Sequence, residues 1–322
     1  MSKLFSFLLF FNLLNLMAQD SGKYLDFAFR ADSAFGKGDF DLCSKNYAKA
    51  FRADSAIKDG NHMMYCASCF ALDKKADSAF HYMYQAVKNG WLYFKDTETD
   101  PDLEWLRRKY SQRWNLFLKE MSNQIAQYEK GVLWKSERQN LLKALKEDQK
   151  WRRKAHQVEG EYGRNSKKMK PIWDSLQIID EANYQLLIEI LDKGKFPLQK
   201  EIGVDGLEAF FVLLSHQHDH KDIRKKALVK ASAIEKKQPF TTKHLVYLED
   251  QVRQDEGQRQ LYGTRFYLQG NKIKFWPVEK LNEVNARRRT AGLRPMEQYA
   301  EELKIEMPKE GDKIPTNYEL PF

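Results

Sequence analysis

The chain opens with an apolar run from Leu4 to Met17, broken only by Ser6, Asn12 and Asn15, preceded by Lys3 and followed by Ala18, Gln19 and Asp20. One positive charge, a short apolar stretch and a small residue at its end predict an export signal over residues 1–18, cut after Ala18. The run falls short of the roughly 20 apolar residues that a membrane span requires. No later segment is apolar enough to span, so no membrane span is expected in the mature chain.

After the leader the period becomes helical. Ala31, Cys43, Tyr47 and Ala50 recur as Ala67, Ala79, Met83 and Ala86, at one constant spacing of 36 residues. Three small positions and one large one suit two packed antiparallel helices, because the small residues let the backbones approach while the bulky one fills the groove. Gly38-Asp39 and Asp73-Lys74-Lys75 fall where each hairpin must turn, and Asp100-Pro101-Asp102 opens a terminal helix that caps the stack over residues 19–110. From Leu116 to Arg153 the pattern predicts one long charged helix with no Pro and a single Gly131; residues 111–136 form the connection.

Further on, a helix is predicted over Ile178 to Leu191, ended by Gly194 and Pro197. Asp205 and Glu208 read as a capping box opening an apolar core helix, Leu207 to Leu214. A basic amphipathic helix from Lys221 to Lys237 and another from Thr241 to Val252 follow. Two runs rich in aromatic and β-branched residues, Leu261 to Leu268 and Ile273 to Trp276, flank Gln269-Gly270-Asn271 and predict a β-hairpin. The last helices run from Val278 to Lys304. The tail, 305–322, with Pro308, Pro315 and Pro321, reads as an extended strap or a disordered end. The fold class is therefore mainly α: helical-hairpin repeats, then a helical domain over 137–304 with one β-hairpin (α+β).

Aromatic residues make up 13% of the chain, which favours a packed core over disorder. The formal charge of +9 arises from Lys and Arg interspersed with Asp and Glu on amphipathic helices, as on ordinary solvated faces. With no nucleic-acid module and an export signal, a nucleic-acid partner is not expected. All three cysteines lie in the first third. Cys66 and Cys69 have the spacing of a redox pair but sit in a helical repeat, and zinc would need further ligands. A structural bridge from Cys43 to Cys66 or Cys69, or three buried thiols, stay open. No P-loop, nucleophile elbow or dinucleotide fingerprint occurs, and no cofactor is expected.

The chemistry-bearing positions cluster late. Asp148 and Arg152 share a helical face, and Asp180, Asn183, His216, Asp250, Gln260 and Tyr262 are candidates to converge with them. Such a set supplies acid–base groups, with a histidine oriented by a carboxylate, or else a buried polar network in which every donor finds an acceptor. His216-x-His218-Asp219-His220 is one residue short of the zinc-binding string of metallo-β-lactamase-type hydrolases, and the helical pattern has no material for that fold. His216 and His220, four apart on a continuing helix, are the weak metal candidates.

Two resemblances follow from these residues. The first third resembles the tetratricopeptide repeat, with Phe27 and Met63 in the slot that family often fills with Trp. That resemblance implies a protein or peptide partner. Residues 137–304 resemble a bacterial domain family of unknown function, often found in secreted proteins. The matching strings are Asp148-Gln149 with Arg152, Asp180 with Asn183, Ile202-Gly203, Leu214-Ser215-His216, Leu248-Glu249-Asp250, Gly257 with Gln260-Leu261-Tyr262-Gly263-Thr264, and Arg287-Arg288 with Gly292-Leu293. The chain departs where the family tends to have Asp-Arg, here Asp250-Gln251, and Thr-Gln, here Thr264-Arg265. The family implies a boundary and a residue set but no reaction. The expected function is an exported, non-catalytic protein- or peptide-binding or scaffolding protein of the periplasm or exterior. The alternative is an acid–base or hydrolase-like enzyme around His216, Asp148, Arg152 and Asp250.

Overall fold

The computed structural model describes residues 22–55, 59–194, 196–235, 242–270 and 272–319. The leader and its cut after Ala18 lie outside the described residues, as do Lys237, Thr241, Asn271 and Pro321. The described residues fall into two compact units, divided between residues 130 and 131.

In the first unit α1 (22–36) and α2 (Phe40–Ala53) form one helical hairpin, and α3 (Gly60–Leu72) and α4 (Ala76–Lys88) form a second. Asp39 caps α2 by accepting the Leu42 N–H at 3.0 Å, and Asp59 caps α3 by accepting from Asn61 and His62. The eight positions that recur at one spacing are each at most 1% exposed, so the repeat in sequence is the inner seam of both hairpins. Gly60 marks how closely the second pair packs: a Cβ there would stand 2.8 Å from the Asn89 carbonyl oxygen and 2.9 Å from that of Ala86. Cys43 and Cys69 are joined by a disulfide across α2 and α3, and Cys66 is a buried free thiol. After α5 (Phe94–Thr99), Asp100 accepts the Asp102 N–H and starts a single 3-10 turn that leads into α6 (Glu104–Lys109). Leu103 and Leu106 then bury against Phe80, with Trp114 and Phe117 of α7 (Ser111–Gly131) in the same cluster.

The single helix expected from Leu116 to Arg153 is instead two. α7 ends at Gly131 and α8 (Lys135–Tyr162) begins four residues later. Between them the Leu133 and Trp134 N–H groups donate to the Lys200 and Glu201 carbonyls, so the backbone bonds that would continue the helix are spent on a distant segment.

In the second unit α8, α9 (Lys170–Leu191) and α10 (Gln199–Ser215) pack together, with α11 (Lys221–Glu235) and α12 (Thr242–Asp255) beside them. α10 is the core helix: Leu207, Ala209, Phe210, Phe211, Leu213 and Leu214 are all buried. Each of the buried Leu and Phe side chains stabilises the fold by about 1.5–3 kcal/mol. The helix starts earlier than the expected capping box, at Gln199, and bends at Gly203, whose φ is 78°. Asp205 is drawn away from a purely capping role. It accepts the Arg138 guanidinium at 2.9 and 2.7 Å as well as the Gly206 N–H, tying α8 to α10.

The β-hairpin consists of β1 (Phe266–Gln269) and β2 (Lys272–Phe275), antiparallel with Phe266 opposite Phe275. β1 begins five residues later than the apolar run suggested. α13 (Val284–Thr290) and α14 (Met296–Leu303) follow. The segment 305–319 is a strap: Leu268 and Glu319 exchange backbone hydrogen bonds, and the Tyr318 ring lies 5.0 Å from that of Trp276. Among the described residues no helix is long and apolar enough to cross a membrane.

Candidate functional site

The eight polar candidates of the second unit resolve into two groups. Asp148 and Arg152 on α8, Asp180 on α9 and His216 just past α10 form a chain of charges. The Asp148 carboxylate is fully buried; it bonds His216 Nδ1 at 3.0 Å and accepts from Arg152 Nε at 3.0 Å and Gln149 Nε2 at 3.0 Å. Arg152 Nη2 reaches on to Asp180 at 2.6 Å. Burial alone would raise the Asp148 carboxyl, but the hydrogen bond and charge of His216, and then Arg152, hold it below the usual carboxylate range. Asp180 goes the other way, because burial outweighs the pull of Arg152. Asn183, one turn along α9, is buried too, and its Nδ2 has no hydrogen-bond partner among the described residues.

The second group is a clamp on one loop. Asp250, buried on α12, accepts the N–H groups of Leu261 at 2.7 Å, Tyr262 at 3.0 Å and Thr264 at 3.0 Å, and the Thr264 hydroxyl at 2.9 Å. Gln260 accepts the Arg265 N–H and donates to the Arg265 and Trp276 carbonyls. From the far side Arg287 donates to the Leu261 carbonyl and Arg288 to that of Tyr262. Gly263 has a φ of 71°, and a Cβ there would lie 2.5 Å from Met296 Sδ. Asp250 and Gln260 are thus saturated structural groups, and Tyr262 enters through its backbone. Burial pushes the Asp250 carboxyl up, against the downward pull of the three N–H donors.

The metal pair does not form. α10 ends at Ser215, so His216 and His220 do not share a helical face; His216 goes to Asp148, while His220 bonds Glu181 at 2.9 Å and stacks on Tyr184 at 3.7 Å. Among the described residues no cluster of three His, Cys, Asp or Glu is arranged to hold a metal.

Three residues outside the candidate set belong to the same neighbourhood. His218 is half-buried, and burial, then the charges of Arg224, Arg152, His216 and Arg265, push its imidazole down to about 4. Arg224 is fully buried, donating to Asp255 at 2.7 Å and to the Gln217 carbonyl. A signal for it existed: Arg224 shares one stripe of α11 with the buried Ala227 and Ala231. Arg265 had no such signal, since its loop carries no period.

The first unit has its own cavity, about 280 Å³, lined by Asp32, Tyr65, Ser68, Trp91, Asp100 and Asp102 among others. Asp32 accepts the hydroxyl of the buried Tyr47. Burial raises the Asp100 carboxyl despite Arg107, and burial and then Asp100 raise that of Asp102.

A family of unknown function, DUF6624, matches residues 136–307, more than half of the chain. The chain belongs to the DUF6624 family. No curated protein and no solved structure matches. Both polar groups and Arg224 fall inside the DUF6624 region, whereas the acidic cavity precedes it.

Within the DUF6624 region the Asp148–His216 pair has the geometry of an acid–base dyad, a buried carboxylate bonded to one ring nitrogen of a partly exposed imidazole. It also joins α8, α9 and α10. Replacing Asp148 by Asn should cost about 1.5–3 kcal/mol at pH 7, the range for hydrogen bonds to a charged group. Because the folded-state carboxyl is depressed, its contribution is present above the unfolded pKa of about 3.9 and is lost as pH falls through the folded value. Urea midpoints of wild type and Asp148→Asn should therefore differ at pH 7 and converge in acid; a constant difference would disprove the linkage.

Proposed function

We propose that this is an exported, non-catalytic binding protein whose helical hairpins, two repeats of the tetratricopeptide type, take a cationic segment of a partner protein. The observation that carries the reading is the cavity of about 280 Å³, whose lining brings Asp32, Asp100 and Asp102 together with Phe35, Tyr47, Met64, Tyr65 and Trp91. Carboxylates and aromatic faces both attract a Lys or Arg side chain. The chain as a whole carries +9, so a polycation is repelled from its surface at large and attracted only where acidic groups gather. Export is supported by the leader pattern and by the Cys43–Cys69 disulfide, which suits an oxidising compartment outside the cytoplasm.

The test is titration of the full chain with tetra-arginine amide, followed by Trp fluorescence. Saturable binding is expected, weakened about tenfold in the Asp100→Asn/Asp102→Asn double variant, as for a loss of about 1.4 kcal/mol. Since both carboxyls are raised, affinity should start to fall on acidification before an ordinary Asp titrates. Equal affinity in wild type and the double variant would sink the proposal.

A second reading, acid–base chemistry in the DUF6624 region, is favoured by the buried Asp148 beneath His216, whose side chain is 21% exposed. Asp250 takes no part in it, because its oxygens are occupied by the loop.

A further inference from the structure

Arg265 is held before any ligand arrives. Its backbone N–H and carbonyl are both bonded to the Gln260 side chain, and its Nε donates to Gln254 Oε1 at 3.2 Å. The rest of its guanidinium forms no ion pair or hydrogen bond among the described residues. Two carboxylates are near enough to act on its charge, but each is occupied: Asp255 takes Arg224 at 2.7 Å, and Asp250 takes the loop N–H groups. A partly buried guanidinium bonded only to a neutral amide oxygen is stabilised by any anion that reaches it.

The space beside it is a cavity of about 200 Å³. Phe211 and Ser215 of α10 and His244, Tyr247 and Leu248 of α12 line it together with Arg265. Two of its other polar donors are committed. The Ser215 hydroxyl donates to the Val212 carbonyl at 2.7 Å, and Gln251 Nε2 donates to the Ser215 carbonyl at 2.7 Å. The Phe211 and His244 rings stack at 4.9 Å and give the cavity a flat, largely apolar wall. One cation against such a wall matches a ligand with one negative charge and an apolar body. A phosphate dianion would bring a second charge for which the lining supplies no second Lys or Arg.

We propose that this cavity binds a small organic carboxylate, with the acid group on the Arg265 guanidinium and the apolar body against Phe211, Tyr247 and Leu248. The site lies in a different unit from the acidic cavity and is independent of the peptide-binding reading.

Calorimetric titration of the full chain with benzoate, benzyl alcohol and inorganic phosphate tests it. Benzoate should saturate one site, and benzyl alcohol, which keeps the ring and loses the charge, should bind roughly tenfold more weakly or worse. Arg265→Gln should reduce benzoate to the level of benzyl alcohol, and Arg265→Lys, which keeps the charge without the planar fork, should fall between. If Arg265→Gln fails to fold, the benzoate to benzyl alcohol ratio on wild type still decides. Benzoate no tighter than benzyl alcohol, or equally tight on folded Arg265→Gln, would overturn the proposal; phosphate tighter than benzoate would overturn the carboxylate assignment.

Discussion

A Cys43→Ala/Cys69→Ala double variant should lose about 3–4 kcal/mol of stability, the chain-entropy value for a bridge closing a loop of this length. The two cysteines are 26 positions apart, so the bridge ties α2 to α3 across the turn between the hairpins. Both are fully buried beside Ala31, Tyr47 and Ala50, in contact with the seam that the repeat defines. Cys66 shares that cluster but does not compete: burial pushes its thiol up, which keeps it protonated and a poor attacker of the bridge. Thiol titration in denaturant is the direct check. One thiol should react before reduction and all three after it. Urea unfolding then measures the variant, and three reactive thiols without reductant would show that the bridge is absent.

The helical hairpins were legible because their packing is written in residue size at a fixed interval. A small residue on a seam has few other reasons to recur, and all eight of the matched positions are buried. The β-hairpin was legible for its existence and the place of its turn but not for its start. Leu261 to Arg265 were read as the start of a strand, yet the N–H groups of Leu261, Tyr262 and Thr264 go to Asp250 and that of Arg265 to Gln260, so strand pairing begins only at Phe266. The break at Val132 to Trp134 was hidden for a similar reason: it depends on carbonyls of Lys200 and Glu201, far along the chain.

The candidate site divided in the same way. Asp148 and Arg152 could be paired from their helical spacing, and Asp180 and His216 were found by family resemblance, but which carboxylate met His216 depended on tertiary packing. Arg224 escaped notice because an Arg in a basic, amphipathic helix reads as solvated until its neighbours are known, and Arg265 stood out only as a departure from the family pattern. The metal reading of His216 and His220 failed on one backbone fact, the end of α10 at Ser215.

Asp250→Ala is expected to be as damaging as loss of the bridge, about 3–5 kcal/mol. The carboxylate is the common acceptor for three backbone N–H groups and one hydroxyl, and deleting it strands these donors, both of those on Thr264 in a buried place. Each stranded donor costs about 1–3 kcal/mol, reduced where the loop can shift to reach solvent. The loop has little freedom to shift. Arg287 and Arg288 hold its carbonyls from the other side, Gln260 holds its end, and Gly263 sits against Met296. Asp250→Asn tests whether shape or charge matters more. One oxygen survives in that variant, but the new NH₂ faces N–H donors, so it should recover less than half of the loss. Denaturant melts of both variants, with hydrogen exchange at Leu261, Tyr262 and Thr264, would check this. Those amides should be protected in wild type and exchange fast in Asp250→Ala. Protection that survives the change, or a loss below about 1 kcal/mol, would mean that the arginines alone hold the loop, and Asp250 would then return as a candidate for chemistry.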